Sequence, residues 1–309
     1  MKGLLPEKGL VLQRQYTTQE AFQSILRHNL ASIGIWEGIA YEGVNPEGVH
    51  QIRVALRRLR SALVLFRRVV PREVTALLDE EMRWLALEVA SARDLDVLLN
   101  ETLKHMTGRI SLPDGERRLR NLVQLRREAA YQQVRHALDG ERYQRFKESF
   151  SRWIDEQAWY QSDLAAEQRE GLMQTIDLYA AVILEKRFGK LLRQGAAMGK
   201  MSPAELHQLR IACKKFRYAL EFFNPLFGSK GEVSVLFGNL KKLQELLGIM
   251  NDGAQMVPLL TRLLAGEEDR DLLQYAGSVV GWCARQNEEV KNPLGKLWQL
   301  FVTSPVPWR

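Results

Sequence analysis

Cysteine is scarce in this chain. Cys213 and Cys283 are the two in 309 residues, too few for a disulfide framework or a Cys-based metal site. Long apolar runs are missing as well, and none approaches the ~18 residues of a membrane-spanning helix. The opening MKGLLPEKGLVL is interrupted by Pro6, Glu7 and Lys8 and lacks the apolar centre of a secretory signal. Strand-like alternation is also wanting. The expectation is a cytoplasmic protein of a reducing compartment, with no membrane contact and no cofactor.

What is present is helical periodicity. Apolar residues recur at helical spacing over 18–41, 46–70, 73–106, 115–138, 141–160, 172–194, 203–224, 232–249, 253–265 and 269–291, with a short last helix at 294–302. Hydrophobic residues make up 46% and charged residues 26%, so each half can build a core. The predicted class is all-α.

The deciding feature is an internal repeat. HQIRVALRRLRSALVLFRRVV (50–70) aligns without gaps on HQLRIACKKFRYALEFFNPLF (207–227), with 8 of 21 positions identical. His50 pairs with His207, Arg53 with Arg210, Arg57 with Lys214, Arg58 with Lys215 and Arg60 with Arg217, 157 residues apart. Asn45-Pro46 and Ser202-Pro203 each set an N-cap residue before a proline. Ser202 and Glu205 have the spacing of a capping box. A weaker repeat at an offset of 158 joins segment 84–99 to segment 242–260, pairing Arg83 with Lys241 and Asp94 with Asp252. The predicted architecture is a tandem duplication of two antiparallel four-helix bundles, 15–160 and 172–305, with the polar stretch 161–170 as linker.

At about 100° per residue, His50, Arg53, Arg57 and Arg60 share one stripe, opposite an apolar face of Ile52, Leu56, Leu59 and Leu63. Arg58 lies on the other shoulder. His207, Arg210, Lys214 and Arg217 repeat the stripe. Acids are missing here too. Residues 50–70 hold six Arg and 207–220 hold four Lys or Arg, and neither segment contains an Asp or Glu. Exposed helices ordinarily interleave charge signs. Ten residues span about 15 Å, a length that suits an extended polyanion better than one phosphate, and Arg forks onto phosphate oxygens. The plainer reading is internal neutralisation by Asp94, Asp96, Glu88 or Asp252. The net charge of +7 is concentrated in these two segments.

H-x-x-R-[VI]-x-x-[RK]-[RK]-[LF]-R, present twice and trailed by ARDLD and LG-x-x-ND, resembles the CHAD domain over residues 15–305. The resemblance implies two helical bundles about a pseudo-two-fold axis and a basic surface around it. It also implies binding of inorganic polyphosphate and association with polyphosphate granules and their components. The positions it carries over are His50, Arg53, Arg57, Arg58, Arg60, His207, Arg210, Lys214, Lys215 and Arg217, joined by Arg83 and Lys241. Many members have an N-terminal triphosphate-tunnel domain with an E-x-E-x-K signature, which is not found here, so hydrolysis of that kind is not expected. Asn224 and Pro225 replace Arg67 and Arg68, so the second stripe is shorter.

No metal site is expected at histidines ringed by cations. No catalytic residue is expected without a P-loop or nucleophile motif. Two other readings stay open: a phosphohydrolase or phosphotransferase working through His50 and His207, and a nucleic-acid binder using the same stripes. His28, His105 and His136 read as surface residues. Six of the tryptophans read as core, and Trp308 as a tail residue packing back on the bundle.

Overall fold

The computed structural model describes residues 10–227 and 230–309; the opening segment through residue 9 lies outside them. The helices are α1 (Thr18–Glu42), α2 (Glu47–Leu65), α3 (Arg72–Glu88), α4 (Ala90–Val97), α5 (Lys104–Met106), α6 (Pro113–Asp139), α7 (Glu141–Asp155), α8 (Ala166–Met173), α9 (Ile176–Gly195), α10 (Pro203–Phe223), α11 (Lys230–Leu263) and α12 (Arg270–Val302). A π-helical turn, Leu98–Leu103, joins α4 to α5. Among the described residues the only β pairing is an isolated bridge between Thr17 and Thr175.

Local chemistry accounts for the starts of the key helices. Ser202 accepts from the Glu205 N–H, and Glu205 accepts in return from the Ser202 N–H at 2.7 Å, completing the expected capping box. Thr17 and Glu20 do the same for α1. The α2 cap differs slightly from expectation. Asn45 Oδ1 accepts from the Glu47 N–H at 2.9 Å, and Pro46 itself takes the N-cap position. Gly43 ends α1 with φ 73°, against the Tyr131 ring, a backbone conformation suited to glycine.

Several predicted boundaries move: α2 ends at Leu65 rather than 70, α7 at Asp155 rather than 160, and α8 takes up half of the predicted linker 161–170. The stretch 73–106 breaks at Val89 (φ −93°, ψ 2°) and again at the π turn. The break turns α4 so that Ala92, Leu95 and Asp96 are buried against α6. There Asp96 accepts from Arg127 Nε and Tyr131 Oη, both at 2.7 Å, and Arg127 also donates to the Gly43 carbonyl at 2.8 Å. This buried charge is therefore fully hydrogen-bonded, and it fixes α4 beside the end of α1. In the second half α11 runs unbroken through Gly253 and Pro258, and α12 through Pro293. A proline inside a helix costs about 3 kcal/mol. Burial of Met256, Leu260, Leu294, Trp298 and Phe301 in the core, at about 1.5–3 kcal/mol each, offsets it. Gly253 admits the Asn287 side chain, which would lie 2.7 Å from a Cβ there.

Residues related by the repeat meet one another. The Thr18 N–H donates to the Gln174 carbonyl at 2.8 Å and the Ile176 N–H to the Tyr16 carbonyl at 2.9 Å, a reciprocal pair across the Thr17–Thr175 bridge. The rings of Phe66 and Phe223, 157 residues apart, lie 6.1 Å from each other. Such self-pairings are what a pseudo-two-fold axis between the repeats would require, and α2 packs on α10 beside them. The repeats also interlock, since α6 packs on α12. Arg118 of α6 pairs with Asp269 at the α12 N-terminus, where a carboxylate also caps the helix.

Aromatic residues fill the core on both sides of the axis. Phe22, Trp153 and Trp159 cluster in the first half, and Phe188, Phe216, Phe301 and Trp308 in the second. The tail thus packs back as expected, held by Trp308 Nε1 and Arg309 on Glu185. Trp159, Trp298 and Trp308 are buried, while Trp36, Trp84, Trp153 and Trp282 are partly buried. Trp159 sits in the turn after α7 rather than in a helix.

A cationic groove between the repeated helices

The apolar faces of α2 and α10 go to the core, as their periodicity requires. Their basic faces therefore converge beside the axis. At the centre stand the repeat partners Arg57 and Lys214, near enough for the guanidinium to depress the Lys214 ammonium. Burial is the larger cause, and Arg210 adds to it. Together they lower Lys214 from its ordinary 10.5 to about 8. Among the described residues neither Arg57 nor Lys214 has a carboxylate partner; Arg57 Nε donates to the Arg53 carbonyl at 3.2 Å.

At the N-terminal end of the stripes the two halves solve the same problem differently. Arg53 is largely buried and donates to the Ala86 carbonyl at 3.0 Å. Arg210 lies 3.8 Å from Asp252, with its buried Nε unpartnered. Burial lowers both guanidiniums. His50 is held below the usual imidazole range, first by burial and then by Arg93. His207 is exposed, 3.0 Å from Asn251 Oδ1; it is the Nδ1–H that donates there, because an amide oxygen only accepts. Asp94 lies within electrostatic reach of Arg53, Arg262, Arg93 and Asp252. Asp94 is raised, chiefly by burial, with a smaller push from Asp252.

At the other end, acids engage the last arginine of each motif. Asp79 takes Arg60 at 2.7 Å and Arg83 at 2.6 Å. Glu221 takes Arg217 at 2.5 Å and Arg58 at 2.9 Å. Arg58 has turned away from Arg57 and lines a different cavity with His28 and Asn29. Lys241 is exposed on α11 and is not among the residues lining the groove. Of the other three histidines, read as surface residues, His105 and His136 are exposed, but His28 is half-buried and lowered by that burial. Asp96, weighed as a partner for the basic helices, serves Arg127 instead.

A groove of about 800 Å³ opens between α2, α3 and α10. Arg57 and Arg60 line it from α2, Lys214 and Lys215 from α10, and Arg83 from α3. Arg67, counted in the first basic stripe, also lines it, and two further cations line it that the sequence reading did not reach: Arg72 at the start of α3 and Arg187 from α9. Asp79 and Glu80 are the acids in its wall. The lining's one aromatic, Tyr218, is buried, with its hydroxyl unpartnered. His50, Arg53, His207, Arg210 and Arg217 are outside this lining, toward the ends of the stripes.

Such a groove offers many fixed cations and few anions, in a partly desolvated setting where charge is worth more than in bulk water. Among the described residues no three His, Cys, Asp or Glu side chains converge as metal ligands, and no helix is long and apolar enough to cross a membrane.

The CHAD domain family model matches residues 24–261. The chain belongs to the CHAD domain family. This CHAD domain is similar to the crystal structure of the CHAD domain from the plant Ricinus communis, with a TM-score of 0.82 and 31% identity over 97% of this chain and 96% of that one. PptA from Streptomyces chartreusis shares the fold at a TM-score of 0.67 and 14% identity, over 92% of this chain and 100% of that one. Comparison with curated proteins gives no match. The basic stripes and the trailing ARDLD and LG-x-x-ND segments all lie inside the matched residues.

Proposed function

We propose that this CHAD domain binds inorganic polyphosphate non-covalently along the α2–α10 groove, without turning it over, and through that contact associates with polyphosphate granules in the cytoplasm. The observation that carries the reading is the axial pair Arg57 and Lys214. Two cations with no ion-pair partner among the described residues are held close and partly desolvated, and burial above all lowers Lys214 to about 8. An anion bridging them relieves the repulsion that the fold imposes.

The rest of the groove supports the same reading. Arg67, Arg72 and Arg187 extend the positive field beyond the axis, which suits a long chain of phosphates better than one. Arg57 presents a fork to phosphate oxygens, while Lys214 and Lys215 act as point charges. A single-stranded nucleic acid would call for stacking platforms, and the groove's aromatic lining is limited to the buried Tyr218. His50, disfavoured as imidazolium in the free protein, gains a proton more readily beside a polyanion.

The test is an Arg57→Glu, Lys214→Glu double variant titrated with long-chain polyphosphate. Two charge-assisted hydrogen bonds at about 1.5–3 kcal/mol each predict a loss of at least 100-fold at 1.4 kcal/mol per decade, with helicity retained. Unchanged affinity would remove the groove as the binding site. Phosphate release by the wild-type protein, lost in a His50→Ala, His207→Ala variant, would favour the enzymatic reading. Failure of polyphosphate to displace DNA at matched salt would favour a nucleic-acid site.

A further inference from the structure

A second basic cavity of about 490 Å³ adjoins the central groove. Arg67, Arg187 and Lys215 line both. Beyond them it adds Arg68 from the turn after α2, with Lys186 and Lys190 from α9, and its lining contains no carboxylate. Glu185, the acid nearest in sequence on α9, is occupied elsewhere. It accepts from Trp308 Nε1 at 3.1 Å and pairs with Arg309 at 2.7 Å. Among the described residues, none of Arg67, Arg68, Lys186, Arg187, Lys190 and Lys215 has an ion-pair partner. Burial and the neighbouring cations Arg187, Lys190 and Arg67 all depress Lys215.

The repeat supplies an internal control. The cavity related to this one by the pseudo-two-fold axis is the one holding Arg58. At offsets of 157 and 158, Arg67, Arg68, Lys186 and Arg187 correspond to Asn224, Pro225, His28 and Asn29, all of which line that cavity. Its remaining cation, Arg58, is held by Glu221 at 2.9 Å. The fold thus builds the same recess twice and charges only one copy.

We infer that the α9 cavity is a second binding segment for a polyanion of repeating phosphate groups, and that the chain leaves the axial groove on this side alone. The inference rests on the polyphosphate reading above. Lys186 and Lys190 stand about 6 Å apart along α9, on a path continuous with Lys215. Bound polyphosphate is then asymmetric on a nearly symmetric protein. A chain spans the axis and continues over α9, and a ligand too short to do both engages the axis alone.

The experiment compares tripolyphosphate with long-chain polyphosphate on wild-type protein and on a Lys186→Gln, Lys190→Gln variant. Both lysines are exposed, so the substitutions leave the core intact. The expected result is a roughly tenfold loss for the long chain and none for tripolyphosphate. The slope of log K against log salt should become shallower by about 1.4, at about 0.7 for each phosphate of a flexible polyanion that is no longer neutralised. Unchanged long-chain affinity and slope would overturn the inference. So would equal losses for both ligands, because the lysines would then act only through the general field. If wild-type protein binds neither ligand, the polyphosphate reading itself falls, an outcome distinct from a failure of the α9 segment.

Discussion

The two copies of the basic helix began alike and now hold their charges in different ways. In the first copy, α2, the central Arg57 is free of acids and Arg60 shares Asp79 with Arg83. In the second, α10, Lys214 likewise has no ion-pair partner among the described residues, Asp252 acting on it only at longer range, but Arg217 takes Glu221 on its own helix. The reason is legible in the repeat. The position related to Asp79 is Phe237, so that position of α11 supplies no acid. Glu221 stands where the first copy has Val64, and it draws Arg58 away from the axis as well. The histidines diverge for a similar reason. Arg93 presses on His50, whereas the related Asn251 accepts from His207. What both copies keep is an axial cation with no ion-pair partner among the described residues, the feature on which the proposed binding rests.

The comparison can be broken most severely at the axis. Single reversals Arg57→Glu and Lys214→Glu should each weaken polyphosphate binding by at least tenfold, corresponding to one charge-assisted hydrogen bond of about 1.5–3 kcal/mol, and to a similar degree. A large effect of one with none of the other, measured by calorimetric titration, would show that the copies do not share the ligand. Next in size is the exchange of the helix ends. Arg67→Asn with Arg68→Pro should lower long-chain affinity and flatten its salt dependence. Asn224→Arg with Pro225→Arg should steepen the salt dependence, by about 0.7 for each additional phosphate neutralised.

A pH titration sharpens the difference between guanidinium and ammonium at the axis. Lys214 is depressed to about 8 in the free protein, and a bound polyanion favours its charged form. Affinity should therefore be level with respect to Lys214 below pH 8 and fall as pH rises above it. Lys214→Arg should remove that fall, because a guanidinium stays charged throughout this range. An identical profile in the variant would assign the pH dependence to another group.

The smallest effects are expected where acids already intervene. Asp79→Asn frees Arg60 and Arg83 from a partly exposed ion pair worth about 0.2–1 kcal/mol. It should tighten polyphosphate binding by no more than about fivefold. Arg58→Gln, outside the groove and held by Glu221, should change affinity by less than twofold.

The sequence carried much of this in readable form. Two matched HxxR helices, their caps and their missing acids are local patterns, and the paired residues do meet across an axis. Helix continuity was harder to read. Gly253, Pro258 and Pro293 are breakers by local chemistry, yet the buried residues flanking them keep α11 and α12 whole. The charge partners were harder still, because a periodicity wheel says which face a side chain occupies and not which helix lies opposite. Nothing near Arg60 in sequence announces Asp79. Lys186, Arg187 and Lys190 lie outside the two motif helices, so the motif does not point to them. A signal was present all the same: residues 186–193 carry four cations and no acid, and Glu185 is diverted to the chain's last residue.

The central claim is that a phosphate chain lies across the α2–α10 axis. A crystal structure of the protein with polyphosphate tests it most directly. Phosphate oxygens should lie within hydrogen-bond distance of both Arg57 and Lys214, with the chain continuing past Lys215 toward Lys190. Phosphates bound only at another surface, with the axial groove empty of them, would contradict it.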